Sequence, residues 1–303
     1  MNAPHTKHMP IPPRFIRGLG EIAGDYDLIL CDVWGVVHNG VVYYRDATDA
    51  LARFRAQGGT VILLTNAPRP RQRVGAFLEG LGVPGEAYDE IVSAGDVTVS
   101  LILERGDLRL AHIGPPNDIS LFAEAQALAG RPLRFTPLEE AAYVVAIGLN
   151  DAENEMPSDY DARLRLMLER NVEFICANPD IVVEIGDKLV YCAGALAEAY
   201  ARMGGGVTQA GKPYPAIYER ALALGERLRG GGLDRARVLA IGDSAQTDIK
   251  GAQDQGLATL FVTNGIHRAE LHPGNAELDA AAFRQFIEGT GIAPTAAIPE
   301  LFW

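Results

Sequence analysis

Short runs of apolar residues alternate along this chain with longer stretches in which apolar positions recur every three or four residues. The first run, Leu28–Cys31, is followed by an acid, Asp32, and a break at Gly35. It predicts a buried strand over 27–33. Ala47, Ala50, Leu51 and Phe54 then fall at i, i+3, i+4 and i+7, which predicts a helix opening at Asp46 and stopped by Gly58-Gly59. Thr60–Thr65 is too short for a helix and rich in branched residues, so it reads as a second buried strand. A turn over 66–70 leads to a helix with Val74, Phe77, Leu78 and Leu81 on one face and Gly82 beyond its end. A further short strand is expected at 91–93. Strand and helix in alternation predict right-handed crossovers and a parallel sheet.

The middle of the chain starts a second α/β pattern. Strands are expected at 108–113, 143–147 and 174–177, and helices at 121–128 and after Ser158. Ser158 with Asp161 three residues later has the form of a capping box. The helix it opens places Tyr160, Leu164, Met167 and Leu168 on one side. Gly204-Gly205-Gly206 reads as a hinge, because glycine leaves the backbone unusually free. The last third returns to the first pattern: a helix over 215–229, a strand over 238–241 running into Gly242-Asp243, a short helix from Asp248 to Gly256, and a strand over 257–262. The proline-broken apolar tail, 291–303, is expected to dock on a surface rather than form a helix.

Composition narrows the picture. The 303 residues are 48% hydrophobic, enough for a large core in one or two lobes. No apolar run approaches the roughly 18 residues of a membrane span, so no membrane partner is expected. The start, MNAPHTKHMPIPPRF, lacks a signal-peptide pattern and reads as a flexible leader. The formal charge of −12 argues against binding nucleic acid or anionic lipid. Any anionic substrate must therefore be held by local positive groups or a metal. Cys31, Cys176 and Cys192 sit apart in apolar surroundings without zinc spacing, as in a reduced, cytoplasmic protein. His38, His112 and His267 have no ligand spacing and read as loop or surface histidines.

Chemistry concentrates at strand ends and glycine turns: Asp32, Thr65-Asn66, Gly211-Lys212-Pro213, and Gly242-Asp243-Ser244 with Asp248. In a parallel sheet the carboxyl ends of the strands share one edge, so distant groups can converge there. An acid, a hydroxyl, a lysine and two further acids make a coherent set for phosphoryl transfer. One carboxylate can attack phosphorus, Asp32 and Asp243 can hold Mg²⁺, and Lys212 can neutralise the transferring group. Taken singly, each residue is as readily a cap, a turn or a solvated lysine. Two decoys fall away. The run from Gly206 to Lys212 has Walker-A spacing, but Pro213 stands where Ser or Thr is required. Gly204 to Gly206 is no dinucleotide fingerprint.

Taken in order, LCDVWGV, LLTN, GKPYP and IGDSAQTDI resemble the four motifs of the haloacid dehalogenase (HAD) superfamily of phosphohydrolases, across the whole chain. The placement of an α/β insert between the second and third motifs, with Asn178-Pro179-Asp180 late in it, is similar to subfamily IIA. That resemblance implies a Rossmann-like parallel-sheet core over 15–105 and 206–303, with an inserted cap over 106–205. It implies that Asp32 is a nucleophile forming an aspartyl phosphate, and that Thr65, Asn66 and Lys212 bind the phosphoryl group. It implies Mg²⁺ held by Asp32, the Trp34 backbone carbonyl and Asp243, with Asp248 in support. Asn178 and Asp180, with the region out to Tyr191, would face a small phosphorylated metabolite. A homodimer through the cap or the tail is compatible with all of this.

Trp34 departs from the pattern. Phosphatases of the family usually carry a second aspartate two residues after the nucleophile, which protonates the leaving alcohol and then activates water. An indole offers one N–H and no acceptor, so Trp34 can do neither, and losing such a group costs about 10² to 10⁴ in rate. Three readings stay open: a phosphatase, slow unless another group replaces the acid; a fold that binds a phosphometabolite or a protein with turnover impaired; and a dehalogenase, since dehalogenases have an aromatic tyrosine there.

Overall fold

The computed structural model describes residues 13–185, 188–275 and 277–303. The N-terminal stretch expected to be a flexible leader lies mostly outside these residues. The strands are β1 (Arg14–Phe15), β2 (Leu28–Cys31), β3 (Thr60–Thr65), β4 (Glu90–Ser93), β5 (Leu110–Ile113), β6 (Tyr143–Ala146), β7 (Glu173–Cys176), β8 (Val182–Ile185), β9 (Lys188–Tyr191), β10 (Val207–Gln209), β11 (Val238–Gly242), β12 (Ala258–Val262) and β13 (Ala296–Ile298). The helices are α1 (Arg45–Ala56), α2 (Arg71–Leu81), α3 (Ala94–Glu104), α4 (Ser120–Ala129), α5 (Asp161–Glu169), α6 (Ala193–Arg202), α7 (Pro215–Leu228), α8 (Lys250–Asp254), α9 (Arg268–Leu271) and α10 (Ala280–Thr290).

Seven parallel strands form one sheet in the order β1-β13-β12-β11-β2-β3-β4. Its central strands read as unbroken apolar runs because both faces are covered. Side chains alternate across the pleat. Ile29, Cys31, Val61 and Leu63 therefore pack against Ala50, Leu51 and Phe54 of α1 and Val74 and Leu78 of α2. Leu28, Leu30, Ile62 and Leu64 pack instead against Val97 of α3 and Ile217, Tyr218 and Ala221 of α7. This α/β sandwich is the predicted fold class.

A second parallel sheet, β10-β7-β6-β5, is built from the middle of the chain and has its own two-sided core. β8 and β9 form a separate antiparallel hairpin. The expected change of unit after Gly205 does not coincide with the pairing, because Val207–Gln209 runs parallel to β7 in the second sheet. The triple glycine is thus a helix-to-strand turn inside that unit rather than a hinge between two. A Cβ on Gly205 would sit 2.3 Å from the Tyr200 ring, so close packing accounts for that glycine.

Three further expectations are corrected. The capping box at Ser158 is absent; Asp159 accepts from the Met156 N–H (2.8 Å) as Pro157 starts the turn one residue earlier. The tail does not merely dock: Ala296–Ile298 adds a strand between β12 and β1. His38 is not a surface residue but is 2% exposed. No helix among the described residues is long and apolar enough to cross a membrane.

Candidate active site

Asp32 follows β2, Thr65 ends β3 with Asn66 behind it, and Asp243 follows β11. Adjacent parallel pairing of β11, β2 and β3 brings these positions to one edge. The Asp32 N–H donates to the Ile241 carbonyl (2.8 Å), which continues the ladder up to the acid. Lys212 arrives from the second sheet, just beyond β10. With Trp34 and Asp180 these residues line one cavity of about 280 Å³.

Lys212 is buried and bonds two carboxylates: its Nζ donates to Asp32 Oδ1 (2.5 Å) and to Asp248 Oδ1 (2.7 Å). Burial alone would push its ammonium down, but Asp248 and Asp32 beside it outweigh that and hold it well above the usual lysine range. Burial, then the Asp248 charge, push Asp32 well up against the pull of Lys212. Burial and Asp248 likewise raise Asp243 to about 7, although the Ile266 N–H donates to it (2.8 Å). Asp248 is steadied by the Ser244 N–H (3.0 Å).

Asp32, Asp243 and Asp248 present carboxylate oxygens within 4.8 Å of one another. Three buried acids face one lysine, so the set carries an excess of negative charge, and hard oxygen donors with that excess fit a divalent cation such as Mg²⁺. The surroundings are cut to this arrangement. A Cβ on Gly35 (φ +87°) or on Gly265 would lie 2.1 Å from Asp243 Oδ2, and one on Gly242 would lie 2.2 Å from the Asp248 side chain.

Asn66 is spent on bracing rather than on an open contact. Its Oδ1 accepts the Lys212 N–H (2.7 Å), and its Nδ2 donates to the Lys212 carbonyl (3.1 Å) and to Asp180 Oδ1 (2.8 Å). Both amide protons are used, so its side chain has none left for a phosphoryl oxygen. Thr65 Oγ1 accepts the Ala67 N–H (3.2 Å) and keeps its own proton to donate. Asn178 does not line the cavity; its Oδ1 accepts the Asp180 N–H (3.1 Å) and fixes the turn that carries Asp180.

Trp34 lines the cavity, with its indole over Gly40, where a Cβ would lie 2.6 Å from the ring. The ring meets His38 edge-on (centroids 4.9 Å apart), and His38 meets Phe77 the same way (5.4 Å). Burial pushes His38 down to about 4, so it is a neutral prop; its Nδ1 accepts the Gly40 N–H (2.8 Å). Val182 and Val183, from the region out to Tyr191 that was expected to face substrate, line the cavity too, whereas sequence reasoning passed over Tyr44, Gly265 and Arg268, which also line it. None of those three carries a local signal, because they arrive through loop packing.

Comparison with known proteins fits this arrangement. A family model described as haloacid dehalogenase-like hydrolase matches residues 29–127, and a second HAD-hydrolase-like model matches residues 209–286. A solved hydrolase of the haloacid dehalogenase-like family from Brucella suis 1330 is 45% identical, with a TM-score of 0.81, covering 96% of this chain and 100% of that one. A p-nitrophenyl phosphatase from Archaeoglobus fulgidus is 25% identical, with a TM-score of 0.67, covering 90% of this chain and 95% of that one. D-glycerol 3-phosphate phosphatase of Mycobacterium tuberculosis is 26% identical over 251 residues, which is 82% of this chain and 66% of that protein's length.

Proposed function

The chain belongs to the haloacid dehalogenase-like family of hydrolases, within its subfamily IIA, and from that premise we propose that it is a Mg²⁺-dependent phosphatase of a small organic phosphate. The observation that carries this reading is the buried Asp32–Lys212–Asp248 contact set beside Asp243, at the carboxyl edge of a parallel sheet. The similarity to phosphatases of glycerol phosphate and nitrophenyl phosphate supports it. Buried, unpaired cysteines suit a reducing compartment such as the cytoplasm.

In this reading an Asp32 oxygen attacks phosphorus and the bond to the leaving oxygen breaks, giving an aspartyl phosphate that water then hydrolyses. Lys212 holds the attacking carboxylate in place and offsets charge on the phosphoryl oxygens. The Thr65 hydroxyl orients one of those oxygens. Asp32, Asp243 and the Trp34 carbonyl would hold Mg²⁺, with Asp248 behind them, and the cation supplies positive charge to the transferring group. The wild-type protein is expected to hydrolyse aryl phosphate and small polyol or sugar phosphates with Mg²⁺ and to stop on chelation. A panel that gives no turnover, with Mg²⁺ binding shown by calorimetry, would reject the reading.

Gly265→Ala tests the cation assignment separately. The added methyl forces the Asp243 carboxylate to move, and we expect Mg²⁺ affinity by calorimetry to fall about 10- to 100-fold with folding retained. Unchanged affinity would remove Asp243 from the cation site.

Trp34 favours a second reading, a binding module with turnover impaired. Tight binding of a phosphate mimic without hydrolysis of any ester would select it. The buried acid set favours either of these over halide displacement, which needs no cation.

A further inference from the structure

The phosphatase reading leaves open which group protonates the leaving alcohol and later takes the proton of water, since Trp34 can do neither. The ionisable side chains lining the cavity are Asp32, Tyr44, Asp180, Lys212, Asp243, Asp248 and Arg268. Asp32 is the attacking group, and Lys212 is bonded to Asp32 and Asp248. Asp243 and Asp248 belong to the cation set. Arg268 cannot release a proton near neutrality, and Tyr44 lies at the outer rim, 37% exposed. Asp180 is left.

Its position suits the task. Attacking and leaving oxygens lie roughly in line across phosphorus. Asp32 comes from the core sheet, so the leaving group points away from that sheet, toward the chain that supplies Asp180, Val182 and Val183 to the cavity wall. The turn carrying Asp180 is wedged. A Cβ on Gly211 would lie 2.8 Å from the Pro179 ring, and one on Gly194 would lie 2.2 Å from the Pro179 carbonyl oxygen. Asn178 Oδ1 holds the Asp180 N–H (3.1 Å), and Asn66 Nδ2 holds one carboxylate oxygen (2.8 Å), leaving the other oxygen outside that bond. Burial raises this carboxyl to about 6, against the pull of Lys212 and of the Asn66 N–H, which is suited to giving and taking a proton near neutrality.

We propose that Asp180, reaching in from the inserted unit, is the catalytic acid and base that stands in for the aspartate missing at Trp34. The inference rests on the phosphatase reading. In the first step an Asp32 oxygen bonds to phosphorus, and the P–O bond to the leaving group breaks with its electron pair. The Asp180 proton passes to that oxygen and the alcohol departs. In the second step water oxygen bonds to phosphorus while its proton passes to the Asp180 carboxylate. The bond from phosphorus to Asp32 breaks, phosphate leaves, and Asp180 is protonated again.

The test is Asp180→Asn, which keeps a carbonyl oxygen for Asn66 but cannot transfer the proton. Steady-state hydrolysis with Mg²⁺ is expected to fall about 10²- to 10⁴-fold for alkyl and aryl phosphates alike. On rapid mixing, aryl phosphate should give a burst of phenol close to one per enzyme, because a good leaving group departs unassisted and the aspartyl phosphate then waits for water. Alkyl phosphate should give no burst. Unchanged turnover, or a fall with no aryl burst in a variant that melts like wild type, overturns the proposal. If the variant does not fold, Asp180→Glu decides: retained alkyl phosphatase activity supports the role, and its loss with folding intact overturns it. A wild-type protein that hydrolyses no phosphate fails the underlying reading instead.

Discussion

Asp32→Asn is expected to abolish phosphate ester hydrolysis, by a factor on the order of 10⁴ to 10⁶, while leaving the fold intact. The two side chains are nearly isosteric, and the amide oxygen can still accept from Lys212, which lies 2.5 Å from Asp32 Oδ1. What is lost is the charged oxygen able to bond phosphorus. Quenching the reaction in acid should trap an acyl phosphate on the wild-type protein and none on the variant. Hydrolysis at the wild-type level in the variant would show that the nucleophile is another residue, and the assignments of Lys212 and Asp180 would fall with it.

Lys212→Met should have the largest effect on stability as well as removing turnover. Lys212 is 3% exposed, and its ammonium is the counter-charge bonded to both Asp32 and Asp248. Methionine fills much of the same space but leaves those carboxylates uncompensated in a buried setting, a change that costs about 3–5 kcal/mol. The urea unfolding midpoint, measured in chelator, is the readout. Because a divalent cation would restore positive charge, added Mg²⁺ should raise the midpoint more in the variant than in the wild-type protein. Equal midpoints would mean that the lysine is solvated in solution, contrary to its buried contacts.

The strands of the core were legible because burial on both faces leaves a plain mark in sequence: Leu28–Cys31 and the stretch 61–64 within Thr60–Thr65 are apolar without interruption. The helices α1 and α2 were legible from the periodicity of the face they turn to that sheet. Elements whose stability comes from distant partners were not. β13 is three residues between prolines and exists because the edge of β12 accepts it. The β8–β9 hairpin, by contrast, does carry a local mark, the dipeptide Gly186-Asp187 between two runs rich in branched residues, and sequence reasoning overlooked it. The genuine capping box, Ser93 with Asp96 (3.0 Å), went unread while Ser158 drew attention, since the motif does not say which copy precedes a buried face.

The site shows the same division. Asp32, Thr65 and Asp243 could be expected together because strand ends of one parallel sheet must meet, and Asp248 follows in the helical turn just beyond Asp243. Lys212 reaches them from beyond the second sheet, which no local pattern specifies. Asn178 and Asp180 were expected to act alike toward substrate, yet only Asp180 lines the cavity, because the turn geometry points one side chain inward and uses the other to hold it. His38 was misjudged because a histidine in a glycine-flanked loop gives no hint that Trp34 and Phe77 will close over it.

The three cysteines give the molecule a set of internal gauges. All are buried and unpaired, with Cys31 on the core strand beside Asp32 and Cys176 and Cys192 in the other unit. Burial raises each thiol, so none reacts readily while its surroundings stay closed. The pace at which a thiol reagent labels each position therefore reports how often that part of the protein opens. It separates loosening of the lobe that carries Asp180 from loosening of the sheet that carries Asp32, with no probe introduced.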